Sequence, residues 1–249
     1  MQEFKEYLKE LKNNPPRFVI SVVAPPNGGK GTQCAILSTI LGIPAISVGA
    51  LIRAEQDSGS DLGREFYYYT DNRLVAPAAL TLQLLAKRLI ENDCKNGFIL
   101  EGYPRTWENA DAIKDFVNFD LAIEIEVPEE VLLKRMRARG RVDDKEDKQQ
   151  KGMQIYKTET LAVAKTLVGA DKYFKVTVTD DSFFAGDKNL QQDLQTKIGS
   201  HSQITAQAMG IDFDKLDDLN EKNKMKFENI RHTSLKILAA LKEAKNDLF

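Results

Sequence analysis

Apolar runs that are rich in β-branched and aromatic residues alternate along the chain with segments of helical periodicity. The strand-like runs lie at positions 17–23, 97–100, 121–127 and 173–178. Pro77 and Pro128 are placed as the first residues of two of the intervening helices, where a missing N–H group costs nothing. Parallel strands require crossover connections, usually helices. The pattern therefore predicts an α/β fold, a doubly wound parallel sheet with flanking helices.

The two ends of the chain depart from this alternation. Apolar residues at positions 4, 7, 8 and 11 predict an amphipathic helix in an N-terminal extension, 1–16. After residue 198 the sequence is polar and helix-compatible, so 199–249 is predicted to be a helical C-terminal extension on a central domain, 17–198. The best apolar stripe of that extension comprises Ile230, Leu235, Ile237, Leu238 and Leu241.

Composition narrows the classes of function. The 249 residues carry a net charge of -2, which indicates no general affinity for nucleic acid or for a membrane surface. Two cysteines without CxxC spacing and two histidines support neither a disulfide framework nor a zinc cluster. No signal peptide is recognised, so we expect a cytoplasmic protein. Its chemistry is expected to depend on lysine, arginine, aspartate and backbone amides.

A glycine-rich loop, APPNGGKGT, follows the first predicted strand at 24–32. Its glycines allow backbone N–H groups to converge on phosphate oxygens at a helix N-terminus, where the helix dipole favours negative charge. Lys30 can neutralise β and γ phosphate oxygens. The match to GxxxxGK[ST] is imperfect, because Ala24 replaces the first glycine and Gly31 follows the lysine. The loop nevertheless predicts a phosphate site.

Several segments occur in the order typical of adenylate kinases and related nucleoside monophosphate kinases, and each resembles a segment of that family. They are GKGTQ (29–33), ISVGALIR (46–53), SGSDLG (58–63), RLV (73–75), GFILEGYPRT (97–106) and RGRVDD (139–144). The resemblance runs from about 18 to 198. It implies a P-loop kinase fold with a small monophosphate-binding part at about 47–76 and a short lid at about 136–144, with no zinc module.

The resemblance also implies roles for individual residues. Catalytic roles fall on Lys30, Arg105, Arg139 and Arg141. ATP-binding roles fall on Asn27, Gly28, Gly29, Lys30, Gly31, Thr32, Arg135 and Arg139. Monophosphate-binding roles fall on Val48, Arg53, Arg73, Val75, Gly102, Arg105 and Asn109. Glu101 stands where the family usually has an aspartate that holds Mg²⁺ through its water shell, so magnesium bound with ATP is the expected cofactor.

Four positions depart from the pattern of adenylate kinases. Val48 replaces a threonine that faces the acceptor base, and Asn109 replaces a glutamine; both changes resemble pyrimidine monophosphate kinases. Ala50 replaces an acid. Gly152 stands where a further lid-helix arginine is expected, with Lys148 and Lys151 within one turn.

The implied function is reversible phosphoryl transfer from Mg-ATP to AMP, giving two ADP. One alternative is a pyrimidine (UMP/CMP) monophosphate kinase. Another is a catalytically impaired nucleotide-binding scaffold of the same fold, motivated by the departures from the pattern. Retention of the lysine and of the clamping arginines favours the enzyme. We expect ATP and a nucleoside monophosphate as partners, a monomeric protein, and no binding to nucleic acid or membrane.

Overall fold

A five-stranded parallel sheet with the strand order β2-β3-β1-β4-β5 forms the centre of the molecule. The structure, a computed structural model, describes residues 2–71, 76–139, 146–178, 201–208 and 221–244. The strands are β1 (Val19–Val23), β2 (Ala45–Ser47), β3 (Phe98–Glu101), β4 (Leu121–Glu126) and β5 (Tyr173–Thr177). Four of them coincide with the apolar runs of the sequence, and the doubly wound α/β fold is confirmed.

Helices connect the strands and cover both faces of the sheet. They are α1 (Gln2–Asn13), α2 (Lys30–Leu41), α3 (Val48–Asp57), α4 (Asp61–Asp71), α5 (Ala78–Leu89), α6 (Trp107–Ile113), α7 (Glu129–Arg139), α8 (Glu146–Ile155), α9 (Leu161–Val168), α10 (His201–Ala208) and α11 (Glu221–Ala244). One π-helical turn, Tyr156–Thr160, joins α8 to α9. Pro77 has an extended ψ of 143° and so precedes α5, which begins one residue later than predicted. None of the described helices combines the length and the apolar character needed to cross a bilayer.

The central strand β1 is buried at every position, because helices cover both faces of the sheet. Ile20 and Val22 point into a core cluster that includes side chains of α2 and α11. Val19 and Val23 point into a second cluster, formed with α5, α6 and α9. Alternate residues of one strand thus serve two cores, which explains why the run carries no polar alternation.

Strand β2 was not predicted from the sequence. It has only three residues, of which Ile46 alone is buried, and it pairs in parallel with β3. So short a segment has no measurable periodicity, and its extended conformation depends on hydrogen bonds to β3 rather than on local sequence.

The terminal helices pack onto this framework. Leu11 of α1 is buried in the core cluster that contains α5. Helices α10 and α11 bury Ile204, Leu235 and Leu238 in the cluster that contains Ile20 and Val22. The division of the chain at 16 and 198 stays a prediction, and most of the expected lid at 136–144 lies outside the described residues.

Candidate active site

The polar segments singled out in the sequence follow strands that end at one edge of the sheet. Val22 and Ser47 both pair with Glu101, so β1, β2 and β3 end side by side. The glycine-rich loop, Val48 and Gly102 come directly after these strand ends. In open parallel sheets, ligands bind at this carboxyl edge.

The glycine-rich loop has backbone conformations that ordinary residues rarely adopt. Asn27 has a φ of 61° and Gly29 a φ of 88°, and α2 begins immediately afterwards at Lys30. A Cβ atom placed on Gly28 would lie 2.9 Å from Cβ of Ala24 and 2.9 Å from the carbonyl oxygen of Pro25. The methyl group of Ala24, which stands in place of the first glycine of the pattern, is therefore accommodated beside a glycine.

Lys30 lies between this loop and the end of β3. Its Nζ donates hydrogen bonds to the carbonyl oxygens of Ala24, at 2.9 Å, and Pro25, at 3.1 Å. Its Cε lies 3.4 Å from the position of a Cβ on Gly102. The ammonium group is thus held over the loop whose N–H groups are expected to receive phosphate.

Glu101 directs its carboxylate toward the first turn of α2. Both carboxylate oxygens lie 3.6 Å from the position of a Cβ on Gly31. The described residues contain no group of three or more metal-ligating side chains. A single carboxylate beside a phosphate loop fits Mg²⁺, which keeps several waters and takes further oxygens from substrate phosphates.

Arg105 lies beside Gly102, the glycine that the stem of Lys30 also approaches. Its Nε donates to the carbonyl oxygen of Gly102 at 2.8 Å, and its Nη2 lies 3.1 Å from the position of a Cβ on that glycine. The residue is exposed, but the surrounding protein desolvates the guanidinium and lowers its pKa, while the Glu101 carboxylate acts in the opposite direction. An arginine with a lowered pKa is still charged at physiological pH.

The Arg105 guanidinium and the side-chain stem of Lys30 therefore approach the same glycine at the edge of the sheet. Within the described part of the chain, Arg105 forms no salt bridge with a carboxylate. An unpaired guanidinium next to an ammonium group and a phosphate loop favours the binding of an anion with several oxygens.

Hydrogen bonds that the sequence did not reveal hold the backbone on both sides of Arg105. Its N–H group donates to Oδ1 of Asn109 at 3.4 Å. Thr106 caps α6 by accepting from the Asn109 N–H at 3.2 Å, and Ser21 donates to the Tyr103 carbonyl oxygen at 2.9 Å. A threonine before a helical segment is a known N-cap signal, so Thr106 was accessible to sequence reasoning. Ser21, inside an apolar strand, gave no such signal.

Arg135 projects from α7 to the phosphate loop. Its Nη1 lies 3.5 Å from the position of a Cβ on Gly29, and its side chain is half-buried. Arg139 is the last residue of α7, but its side chain is not among those that the structure describes. The predicted positions Arg73, Val75 and Arg141 also lie outside the described residues.

The monophosphate-binding part begins at β2. Val48 opens α3 and is buried. Arg53, one turn and a half further on, is exposed, and its Nη1 lies 3.4 Å from the position of a Cβ on Gly49. Ala50 is exposed on the first turn of the same helix.

Gly152 brings α8 against the phosphate loop. A Cβ atom at this position would lie 3.0 Å from Cγ of Pro26. A side chain at 152 would thus start directly beside the loop, which is where an arginine directed at donor phosphates is useful. Lys151 is exposed, and the side chain of Lys148 lies outside the described residues.

On the hypothesis that Lys148 or Lys151 supplies the charge of the missing arginine, we expect Gly152→Arg to leave turnover within about threefold of the unmodified protein and either Lys148→Ala or Lys151→Ala to lower it about tenfold, each tenfold being about 1.4 kcal/mol. Steady-state kcat measures both effects. Gly152→Ala is the matched control, since it adds the same Cβ contact with Pro26 without a charge. A tenfold gain from arginine over alanine would show that no lysine compensates.

The two cysteines take no part in this arrangement. Cys34 and Cys94 are free and buried. Burial raises the pKa of the Cys34 thiol and raises that of Cys94 to about 12, so both are thiols rather than nucleophilic thiolates at neutral pH.

Comparison with known proteins assigns the family. A sequence model of the family described as adenylate kinase matches residues 22–170. Adenylate kinase of Corynebacterium diphtheriae is 42% identical over 144 residues, which cover 56% of this chain and 80% of that protein. Adenylate kinase of Mycobacterium tuberculosis is 39% identical over 171 residues, or 67% of this chain and 94% of that protein.

The chain belongs to the adenylate kinase family. It is accordingly a nucleoside monophosphate kinase, a phosphotransferase, and the glycine-rich loop, Lys30 and Arg105 lie within the matched region. The family resemblance drawn from the short segments is thereby confirmed.

Proposed function

We propose that this protein transfers a phosphoryl group reversibly from Mg-ATP to AMP, giving two ADP. The observation that carries the proposal is the convergence of Lys30 and Arg105 over Gly102, between the phosphate loop and the monophosphate-binding part. The names of the relatives, adenylate kinases that are about 40% identical, support AMP as the acceptor.

Phosphoryl transfer needs alignment and charge stabilisation more than covalent help from the protein. On the donor side, the backbone N–H groups of 27–32 and the Lys30 ammonium would hold the ATP phosphates. Arg135, above Gly29, would lie over the donor nucleotide, and Arg139 and Arg141 would close from the lid.

On the acceptor side, Arg53 and Arg105 would bind the phosphate of the monophosphate. Arg73 and Val75, with Gly102, would complete the surface around it, and Val48 and Asn109 would face the base. Two guanidinium groups offer planar pairs of N–H donors that match phosphate oxygens, so they orient the acceptor as well as bind it.

Glu101 would hold Mg²⁺ through water beside the ATP phosphates. The ion supplies charge neutralisation for the phosphate oxygens when it is bound. Glutamate is one methylene longer than the usual aspartate, and Gly31 leaves room for its carboxylate against α2.

A coupled assay with ATP and each of AMP, CMP and UMP tests the proposal. We expect turnover with AMP. ATP binding with no phosphorylation of any of the three would instead support a nucleotide-binding scaffold. That alternative is motivated by the departures from the family pattern at Ala24, Asn27, Ala50, Glu101 and Gly152.

One observation favours pyrimidine monophosphates as further acceptors. Val48 has no polar side-chain atom, and Asn109 already uses its Oδ1 to accept from the Arg105 N–H. Asn109 is left with its amide N–H₂ as the donor for a base. Adenine, cytosine and uracil all offer an acceptor to such a donor, so this side chain distinguishes them weakly.

We predict that the pair Val48→Thr and Asn109→Gln increases the preference for AMP, because a buried polar group left unpaired by the wrong base costs about 1 to 3 kcal/mol. That range corresponds to roughly a five- to hundredfold change in the ratio of kcat/KM for AMP to kcat/KM for CMP or UMP. The two single variants complete a double-mutant cycle that measures how far the positions act together.

Strict selection of AMP by the unmodified protein, by more than about a thousandfold (~4 kcal/mol), would contradict weak discrimination. Selectivity would then reside in groups other than these two side chains.

A further inference from the structure

The turn between α8 and α9 contacts two separate parts of the molecule, the loop that carries Arg105 and the sheet. It is a single π-helical turn, Tyr156–Thr160, in which the helix carries an extra residue. Such turns are rare, but many of those that are known lie at functional sites. The extra residue changes the direction in which the following side chains of the helix point. The side chains of this one point to the loop that carries Arg105 and to the sheet.

Thr160 holds the carbonyl end of the Arg105 peptide. Its Oγ1 donates to the Arg105 carbonyl oxygen at 2.9 Å, with a longer 3.4 Å approach to the Ile155 carbonyl oxygen of its own helix. The residue is buried, at 4% exposure, so water does not compete easily for the bond. Arg105 is thus fixed at its N–H by Asn109 and at its carbonyl by Thr160.

Glu159 makes a second contact with the same loop. Its Oε2 accepts from the backbone N–H of Trp107 at 3.3 Å. The contacts from Glu159 and Thr160 lie on either side of Thr106, so the loop is held to the turn at two points.

The turn itself is anchored to the sheet. Tyr156 donates to Oε1 of Glu124 at 3.0 Å, and Tyr173 of β5 donates to Oε2 at 2.7 Å. Glu124 is 5% exposed, and a buried carboxylate is tolerated only when its oxygens are hydrogen-bonded. Burial, followed by the effect of Glu124, raises the pKa of Tyr156, which therefore stays protonated and able to donate.

We propose that Thr160 is a positioning residue for Arg105. The turn at 156–160 thereby connects the loop that carries Arg105 to α8, the helix that contacts the phosphate loop at Gly152. The idea rests on the proposed function, in which Arg105 binds the monophosphate. Thr160 touches no substrate; it acts by fixing the backbone from which the guanidinium projects.

Thr160→Val and Thr160→Ser separate the hydroxyl from the volume of the side chain. Valine keeps the shape but cannot donate, so we expect the KM for AMP to rise about fivefold, the size expected for loss of one neutral hydrogen bond, while the KM for ATP stays unchanged. Serine restores the donor and is expected to stay within about twofold of the unmodified protein. Ser38→Ala is the control, since it removes a comparable bond from a hydroxyl to the Ile43 carbonyl oxygen far along α2.

Trp107 provides a readout that does not depend on turnover. It is the only tryptophan of the chain, it is 45% exposed, and its N–H group is bonded to the turn. We expect Thr160→Val, without nucleotide, to increase quenching of its fluorescence by acrylamide, and Ser38→Ala to leave quenching unchanged. The quenching comparison tests the role of Thr160 even if the unmodified protein phosphorylates no monophosphate. That result would refute the proposed function but not the contact between Thr160 and the Arg105 loop.

Two results would overturn the positioning role. One is a Thr160→Val protein with unchanged KM for AMP and unchanged Trp107 quenching. The other is a protein in which both KM values and the thermal midpoint shift together, as a general packing defect would cause.

Discussion

Arg105→Ala is expected to lower kcat/KM for the monophosphate by about tenfold to a hundredfold while the fold is preserved. Loss of a hydrogen-bonded charge contributes about 1.5 to 3 kcal/mol, and each tenfold in rate corresponds to about 1.4 kcal/mol. Misalignment of the acceptor adds to this loss, because the reaction depends on holding two phosphates in line. Steady-state kinetics with varied monophosphate at saturating ATP measures the effect.

The fold is expected to survive because Arg105 is exposed and forms no salt bridge among the described residues. Arg17→Ala is the matched control, since Arg17 is also exposed but precedes β1 at the opposite edge of the sheet. Arg105→Lys keeps the charge and loses the planar pair of donors, so its activity is expected to lie between that of Arg105→Ala and that of Arg17→Ala. Equal activity of Arg105→Ala and Arg17→Ala would remove Arg105 from the mechanism.

The central features of the fold were predictable because their signals are local. Strand β1 is apolar at nearly every position since both of its faces are covered, and the glycine-rich loop with Lys30 directly follows it in sequence. The positions of Pro77 and Pro128 likewise indicated where helices begin, to within one residue. In each case the cause of the structure lies within a few residues of the signal.

Contacts between distant segments were not predictable. Thr160 meets Arg105 from 55 residues away, and nothing near either residue specifies the pairing. Nothing in the sequence around Glu124 indicates that its carboxylate is buried. It is buried only because Tyr156 and Tyr173, 32 and 49 residues further on, donate to its two oxygens.

These long-range bonds connect the two sides of the proposed site. The phosphate loop contacts α8 through Pro26 and Gly152, and α8 continues into the turn that holds the Arg105 loop. Donor and acceptor groups are therefore attached to one continuous element as well as to adjacent strand ends. A reaction that depends on alignment benefits from such a connection.

Lys30→Met is expected to reduce turnover roughly tenfold to a hundredfold from the loss of charge alone. A further reduction is expected because the phosphate loop loses the hydrogen bonds that Lys30 donates to it. Methionine keeps an unbranched stem against Gly102 but cannot donate to the carbonyl oxygens of Ala24 and Pro25. Those carbonyls hold the loop around the ammonium, so the substitution removes both a phosphate ligand and a restraint on the backbone N–H groups. ATP titration and kcat measured together report the two losses.

The two losses can be told apart from general destabilisation. In Lys30→Met the Ala24 carbonyl oxygen loses its Lys30 donor, whereas the Pro25 carbonyl oxygen keeps the Gly28 N–H at 3.0 Å. A carbonyl oxygen without a donor costs about 1 to 3 kcal/mol where water cannot reach it, so the urea midpoint of Lys30→Met is expected to fall measurably below that of Lys87→Met, an exposed lysine of α5. Lys30→Arg keeps the charge, but its planar fork cannot reproduce the compact ammonium between two carbonyls, so ATP affinity should return more fully than kcat. If Lys30→Met bound ATP and turned over like Lys87→Met, the ammonium would be a structural group that closes the loop, and phosphate charge would have to be stabilised by the arginines alone.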